Sequence, residues 1–127
     1  MARPILIVDD DSFVGQTLQD LLLFHESAGD VLLATNGARG LSLAMKNSPA
    51  AIFVDYNMPV MDGLSFVREL RNAPQLTDVP LVMMTADDRQ SANLDEMRSH
   101  CKGILRKPFT FEEVCNVLDT VLTTATA

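Results

Sequence analysis

Short, wholly apolar runs alternate with helical patterns five times along this chain, and few folds accommodate that order. Ile5–Val8, Val31–Ala34, Ala51–Val54, Pro80–Met84 and Gly103–Leu105 are too short for helices and show no polar alternation, as expected of strands buried on both faces. Parallel strands joined by helices cross over right-handedly, so the repeats predict one parallel sheet with helices on both sides. The expectation is a single α/β doubly wound domain over residues 1–122, with 123–127 a tail or the start of a linker.

The intervening segments carry their own start and stop signals. Asp11 or Ser12 caps a helix whose apolar positions are Phe13, Val14, Leu18, Leu21, Leu22 and Leu23, broken by Ser27-Ala28-Gly29-Asp30. Asn36-Gly37 opens a second helix carrying Leu41, Leu43, Ala44 and Met45, which Ser48-Pro49 ends. Asp62 caps a third that uses Leu64, Phe66, Val67 and Leu70. Asn72–Val79 is a polar connection, and Asp87–His100 is only weakly amphipathic, through Leu94 and Met97. Thr110 and Glu113 form a Thr-x-x-Glu capping box before the stripe Val114, Val117, Leu118 and Val121.

Four of the apolar runs end on polar residues of complementary type. Ile5–Val8 runs into Asp9-Asp10-Asp11, and Ala51–Val54 into Asp55. Leu81–Met84 leads to Thr85, and Ile104-Leu105 leads through Arg106 to Lys107-Pro108. Ligands of open parallel sheets bind in the crevice at the strand C-termini. With the common strand order 2-1-3-4-5, Asp9-Asp10 and Asp55 become neighbours, and carboxylates that close repel unless protonated or bridged by a cation. Oxygen ligands favour a hard cation, Mg²⁺ where phosphate is involved. A carboxylate can attack a phosphoryl group while cationic groups neutralise the developing charge. Lys107 offers a compact ammonium and Thr85 a hydroxyl.

Composition removes other classes. A net charge of −7 argues against direct nucleic-acid binding, which needs a basic patch. Cys101 and Cys115 lack CxxC or zinc-site spacing and read as ordinary thiols of a reducing compartment. No apolar segment approaches the roughly 20 residues of a membrane span, and four apolar residues before three aspartates are too few for a signal-peptide core. A cytoplasmic protein is expected. His25 and His100 stand apart from every motif and read as surface or packing residues.

The strings Val8-Asp9-Asp10, Asp55-Tyr56-Asn57-Met58-Pro59-Val60-Met61-Asp62-Gly63, Met84-Thr85-Ala86 and Lys107-Pro108-Phe109 closely resemble the receiver domains of two-component response regulators. The resemblance covers nearly the whole chain, in order. It implies a flavodoxin-like (βα)5 sheet of order 2-1-3-4-5 acting as a phosphorylation switch. By it, Asp55 is the phosphoacceptor, served by a sensor histidine kinase or a histidine phosphotransfer protein. Asp10 holds Mg²⁺ directly, Asp9 partly through water, and Asn57 through its backbone carbonyl, beside Asp55 itself. Thr85 and Lys107 bind phosphoryl oxygens, Ala86 keeps the space beside Thr85 small, and the Lys107-Pro108 bond is cis. Output passes to a downstream effector through the face of the fourth helix, fifth strand and fifth helix, where a homodimer could also form. Such a domain is a signalling module rather than an enzyme, though it promotes its own phosphorylation and dephosphorylation.

One position departs from the pattern. Receivers usually carry Tyr or Phe three residues before the lysine, a ring that moves inward as the threonine shifts; here it is Ile104. A β-branched aliphatic chain cannot perform that ring rotation, so output is expected through backbone shifts or a different interface. Asp87 and Arg89, beyond Thr85, could tune phosphate lifetime or be plain loop charges; Phe109 and Phe111 read as packing at the sheet edge. Two competing classes remain. An aspartate-nucleophile phosphatase would resemble D-x-D-x-[TV] and need a cap, against Asp55-Tyr56-Asn57-Met58 in 127 residues. A phosphorylation-independent interaction module would typically lack one of the acidic, Thr or Lys groups.

Overall fold

A computed structural model describes residues 3–25, 29–58, 62–86 and 92–126. The elements alternate as β1 (Ile5–Val8), α1 (Ser12–Leu22), β2 (Val31–Ala34), α2 (Gly37–Asn47), β3 (Ala51–Asp55), α3 (Gly63–Arg71), a 3-10 turn (Pro74–Leu76), β4 (Leu81–Thr85), α4 (Ala92–His100), β5 (Gly103–Arg106) and α5 (Phe111–Thr126). All strand pairings are parallel, as the apolar runs and crossover rule predict, and the order β2-β1-β3-β4-β5 is the one the receiver resemblance implies. α5 continues to Thr126, over the segment whose composition reads as a tail.

Strand alternation sorts the core into two layers. Leu6, Val8, Ile52, Val54, Leu81 and Met83 face a layer completed by Phe66, Val67, Leu70, Leu94 and Met97 of the helices. Ile5, Ile7, Phe53, Val82, Met84 and Leu105 face Leu18, Leu22, Val114, Leu118 and Val121. Each large side chain fully buried this way contributes about 1.5–3 kcal/mol of transfer free energy. Among the described residues, no helix is long and apolar enough to cross a membrane.

The caps fall where their residue types place them. Asp11 accepts from the N–H groups of Phe13 and Val14, Asn36 from Arg39, and Asp62 from Ser65. Thr110 and Glu113 close the capping box reciprocally, at 3.0 and 3.2 Å. Ser48 takes the left-handed conformation after α2, with φ 46°.

Several helix faces differ from the apolar pattern. Phe13 and Leu23 are exposed, because α1 buries Gly15, Leu18 and Leu22, and Phe13 lies about 140° around the helix from Leu18. Met45 is exposed because α2 packs through Gly37, Gly40 and Ala44. A Cβ on Gly40 would meet Val8 Cγ2 at 2.8 Å and Phe66 Cε1 at 3.0 Å, so the bulk at that contact comes from Phe66 rather than from α2. Phe111 is exposed at the start of α5, whereas Phe109 packs against the α1–α5 layer.

α4 buries only Leu94 and Met97, and polar contacts from α3 supplement them. Arg71 donates to the carbonyls of Leu76, Val79 and His100 at 3.0, 3.2 and 3.1 Å. Arg68 forks onto both Glu96 oxygens at 2.7 and 2.5 Å, an exposed pair that adds little stability alone. His25, isolated in the sequence, pairs with Asp119 at 2.7 Å and ties α1 to α5.

Candidate functional site

β1 and β3 are neighbours with Val8 opposite Val54, so the residues that follow each emerge side by side. Asp9 follows β1 and is still tied to β2, its N–H donating to Ala34 O at 3.0 Å, and its side chain is wholly buried. The chain then turns: Asp11 N–H donates back to Asp9 Oδ1 at 2.9 Å while the Asp11 carboxylate caps α1. Asp9 is thereby aimed into the crevice and Asp11 is occupied as a cap. Asp10 is exposed at the rim. Asp55 ends β3 at 3% exposure, and Asn57 N–H donates to its Oδ1 at 3.3 Å. One oxygen from each of Asp9, Asp10 and Asp55 lies within 4.8 Å of the others.

The remaining two strands supply the complement. Thr85, buried, ends β4 one residue beyond Met84, the cross-strand partner of Asp55. Its carbonyl accepts the Lys107 N–H at 3.0 Å, and the Lys107-Pro108 bond is cis. Lys107 Nζ reaches Asp9 Oδ2 at 3.0 Å and Asp55 Oδ1 at 3.4 Å. The five side chains singled out at strand ends (Asp9, Asp10, Asp55, Thr85 and Lys107) are thus gathered at one end of the sheet, with Asn57 beside them. Pro59–Met61, Asp87 and Arg89 lie outside the described residues.

The charges do not balance. Burial, and then the charge of Asp9, push the Asp55 carboxyl up to about 6, although Lys107 and the Asn57 amide pull the other way. Burial lowers the Lys107 ammonium, but its contacts with Asp9 and Asp55 outweigh that and hold it above the usual lysine value. One ammonium therefore leaves three clustered carboxylates undercompensated. Asp9 Oδ2 is buried and contacts the Lys107 ammonium at 3.0 Å, which it shares with Asp55. An all-oxygen set of three carboxylates within 4.8 Å, sharing one ammonium, fits a hard divalent cation. Chemically, the arrangement sets a buried carboxylate beside one ammonium and one hydroxyl, at a cluster suited to a cation.

Two contributors are not visible as such in the sequence. Gly63 begins α3 against the backbone of Asp55: a Cβ there would overlap the Asp55 carbonyl oxygen and sit 2.9 Å from Tyr56 Cα. We expect Gly63→Ala to lower stability by about 1–3 kcal/mol in urea unfolding, with Gly63→Ser no better, because backbone must move. Phe13, Val14 and Thr17 of α1 meet Ala86, Lys107, Pro108 and Phe109 around an apolar cleft of about 360 Å³ that opens beside Lys107. Its sequence signal is Phe13, a bulky apolar residue off the buried face of its helix.

Ile104, at the unusual position, is 41% exposed on β5.

The chain matches the family described as response regulator receiver domain over residues 5–119. It is 36% identical over 110 residues to response regulator MprA of Mycobacterium sp. (strain KMS), covering 87% of this chain and 46% of that relative. The chain thus spans slightly under half the length of the curated relatives it matches. The fold superposes on the chemotaxis protein CheY4 of Vibrio cholerae with TM-score 0.85 and 30% identity, over 96% of this chain and 100% of that one. A putative response regulator from Chloroflexus aurantiacus J-10-fl gives TM-score 0.84 and 29% identity, over 97% and 99% of the two chains. The crevice at the strand ends, the flavodoxin-like strand order and the match over residues 5–119 agree: this chain belongs to the receiver domains of response regulators, the signalling modules of two-component systems.

Proposed function

We propose that the protein is a phosphorylation switch in which Asp55 accepts a phosphoryl group from a histidine kinase or histidine phosphotransfer protein. The observation that carries this reading is Asp55, buried at the end of β3, with Lys107 Nζ 3.4 Å from its Oδ1 and 3.0 Å from Asp9 Oδ2. An Asp55 oxygen forms a bond to phosphorus as the phosphorus–nitrogen bond of the donor breaks, and the imidazole leaves. Lys107 and the Thr85 hydroxyl bind the transferred oxygens, whose charge grows as the group arrives. Asp9, Asp10, Asp55 and the Asn57 carbonyl would hold Mg²⁺, which supplies charge neutralisation to the phosphoryl oxygens when bound. Asn57 N–H steadies Asp55, and Ala86 leaves room beside Thr85. The apolar cleft around Phe13 and Phe109 offers the donor protein a dry seat beside the acceptor.

Phosphorylation adds charge and acceptor oxygens next to Thr85, and α4, the next helix in chain order, is held by only two buried side chains. A shift there would reach an effector through the α4–β5–α5 face without an aromatic ring at Ile104. A cytoplasmic setting goes with this role. The test is intact mass after incubation with acetyl phosphate. One added phosphoryl group, dependent on Mg²⁺ and lost in Asp55→Asn, is the expected result. No adduct in the wild type together with no binding of beryllofluoride would overturn the reading.

A further inference from the structure

β5 is one of the two outer strands of the sheet, so among the described residues one edge of its backbone has no strand beside it. A cleft of about 470 Å³ lies there, bounded by Ile104–Arg106 on one side and by Glu113, Asn116, Val117 and Thr120 of α5 on the other. The helix residues follow i, i+3, i+4, i+7 and form a single face about 10 Å long. Four strand residues span about 13 Å, so the cleft has the length of a short strand.

Side chains alternate across β5. Leu105 enters the α1–α5 layer, and a Cβ on Gly103 would meet Val117 Cγ2 at 2.5 Å, so both point toward α5. Lys102 and Arg106, with Ile104 between them, then present to the opposite side, and all three are exposed. In a chain of net charge −7 this edge carries a cationic row with an apolar centre. An antiparallel second copy paired about Ile104 would set Lys102 against Arg106 of that copy, and like charges directly opposite are destabilising. Cationic side chains on an edge strand discourage self-pairing for the same reason. On the α5 side stands the Glu113 carboxylate, which already accepts the Thr110 N–H at 3.0 Å.

We propose that the β5 edge takes up an extended acidic segment of a partner protein by strand addition, in the pattern acidic–neutral–apolar–neutral–acidic. The acids lie opposite Lys102 and Arg106, and the apolar residue packs on Ile104. The neutral residues turn toward α5, where Glu113 repels an acid. Main-chain hydrogen bonds provide affinity, and the alternating side chains provide selectivity. This deepens the switch reading by giving its output face a ligand chemistry, and it rests on that reading only for the link to Asp55.

The probe is the blocked peptide acetyl-Thr-Glu-Thr-Val-Thr-Glu-Thr-amide, titrated into the full chain and followed by backbone amide NMR. The expected result is perturbation at residues 103–106 and along the 113–120 face, with about tenfold weaker binding of the peptide carrying Lys for both Glu. The double variant Lys102→Glu with Arg106→Glu should reverse that preference while keeping its fold, since both side chains are exposed. Perturbation elsewhere, equal binding of both peptides, or no binding at millimolar peptide would overturn the proposal. So would a dimer in sedimentation whose contacts map to β5, which would give the edge to a second copy. Repeating the titration with beryllofluoride tests the link separately. Unchanged peptide affinity would cut β5 off from Asp55, whereas failure of acetyl phosphate labelling would count against the switch alone.

Discussion

Asp55→Asn makes the Mg²⁺-free protein more stable at about pH 7.5, by up to about 3 kcal/mol, because the native fold buries a carboxylate it cannot fully compensate. The folded carboxyl stands at about 6 against 3.8 for the ordinary group, burial being the first cause and the Asp9 charge the second. A raised folded value means that folding favours the protonated form. The contribution of this group is therefore fully present below pH 3.8 and is lost as pH rises through about 6. Asparagine has the same shape and no charge, so it keeps the protonated state's advantage at every pH. The stability gap between variant and wild type should be widest above about pH 7 and close toward about pH 4. Carboxylates remote from the crevice titrate alike in both proteins and drop out of the difference. In thermal unfolding the full gap corresponds to a rise of roughly 10 °C for a domain of this size. Adding Mg²⁺ should stabilise the wild type and narrow the gap. A variant less stable than wild type at about pH 7.5, or a gap independent of pH, would show that Asp55 is not the strained group.

The sheet is legible in the sequence because its strands are buried on both faces, and an unbroken apolar run such as Ile5–Val8 or Ala51–Val54 is too short and too apolar to sit anywhere but inside a sheet. Caps are legible too, since Asp11, Asn36, Asp62 and the Thr110–Glu113 pair act through local geometry. Helix faces are less so. α2 docks through two glycines and an alanine, a face that hydrophobicity does not mark, and the apolar pattern points instead to Met45. Phe13 reads as core because it is large and apolar, although its angular position points it to the cleft beside Lys107. Both misses have one origin: what fills a gap depends on the distance between elements, which composition does not encode. The strand-end residues escape this problem, since the order 2-1-3-4-5 that the resemblance implies, with parallel register, brings Asp9 beside Asp55. Their electrostatic imbalance emerges only from burial and from the 3.0 and 3.4 Å reach of Lys107.

Lys107→Ala separates two roles that the wild type combines, and its effect on phosphorylation is expected to be large. In the crevice the ammonium stands 3.0 Å from Asp9 Oδ2 and 3.4 Å from Asp55 Oδ1, where it offsets part of the charge that a divalent cation would also offset. Removing it leaves the acidic cluster with less compensation, so Mg²⁺ should bind more tightly to the variant, as read by calorimetry. The opposite holds for transfer. A positioned cation at developing phosphoryl charge is worth about 10²–10³ in rate. Labelling by acetyl phosphate should therefore slow about 100-fold or more in Lys107→Ala at saturating Mg²⁺. The backbone should not confound the result, because the bond from the residue 107 N–H to Thr85 O does not involve the side chain. Lys107→Arg retains charge in a planar, bulkier group and should recover only part of the rate. Tighter Mg²⁺ binding with slow labelling would assign the ammonium to the transferred phosphoryl group. Labelling within about threefold of wild type would reduce Lys107 to a placeholder for the cation.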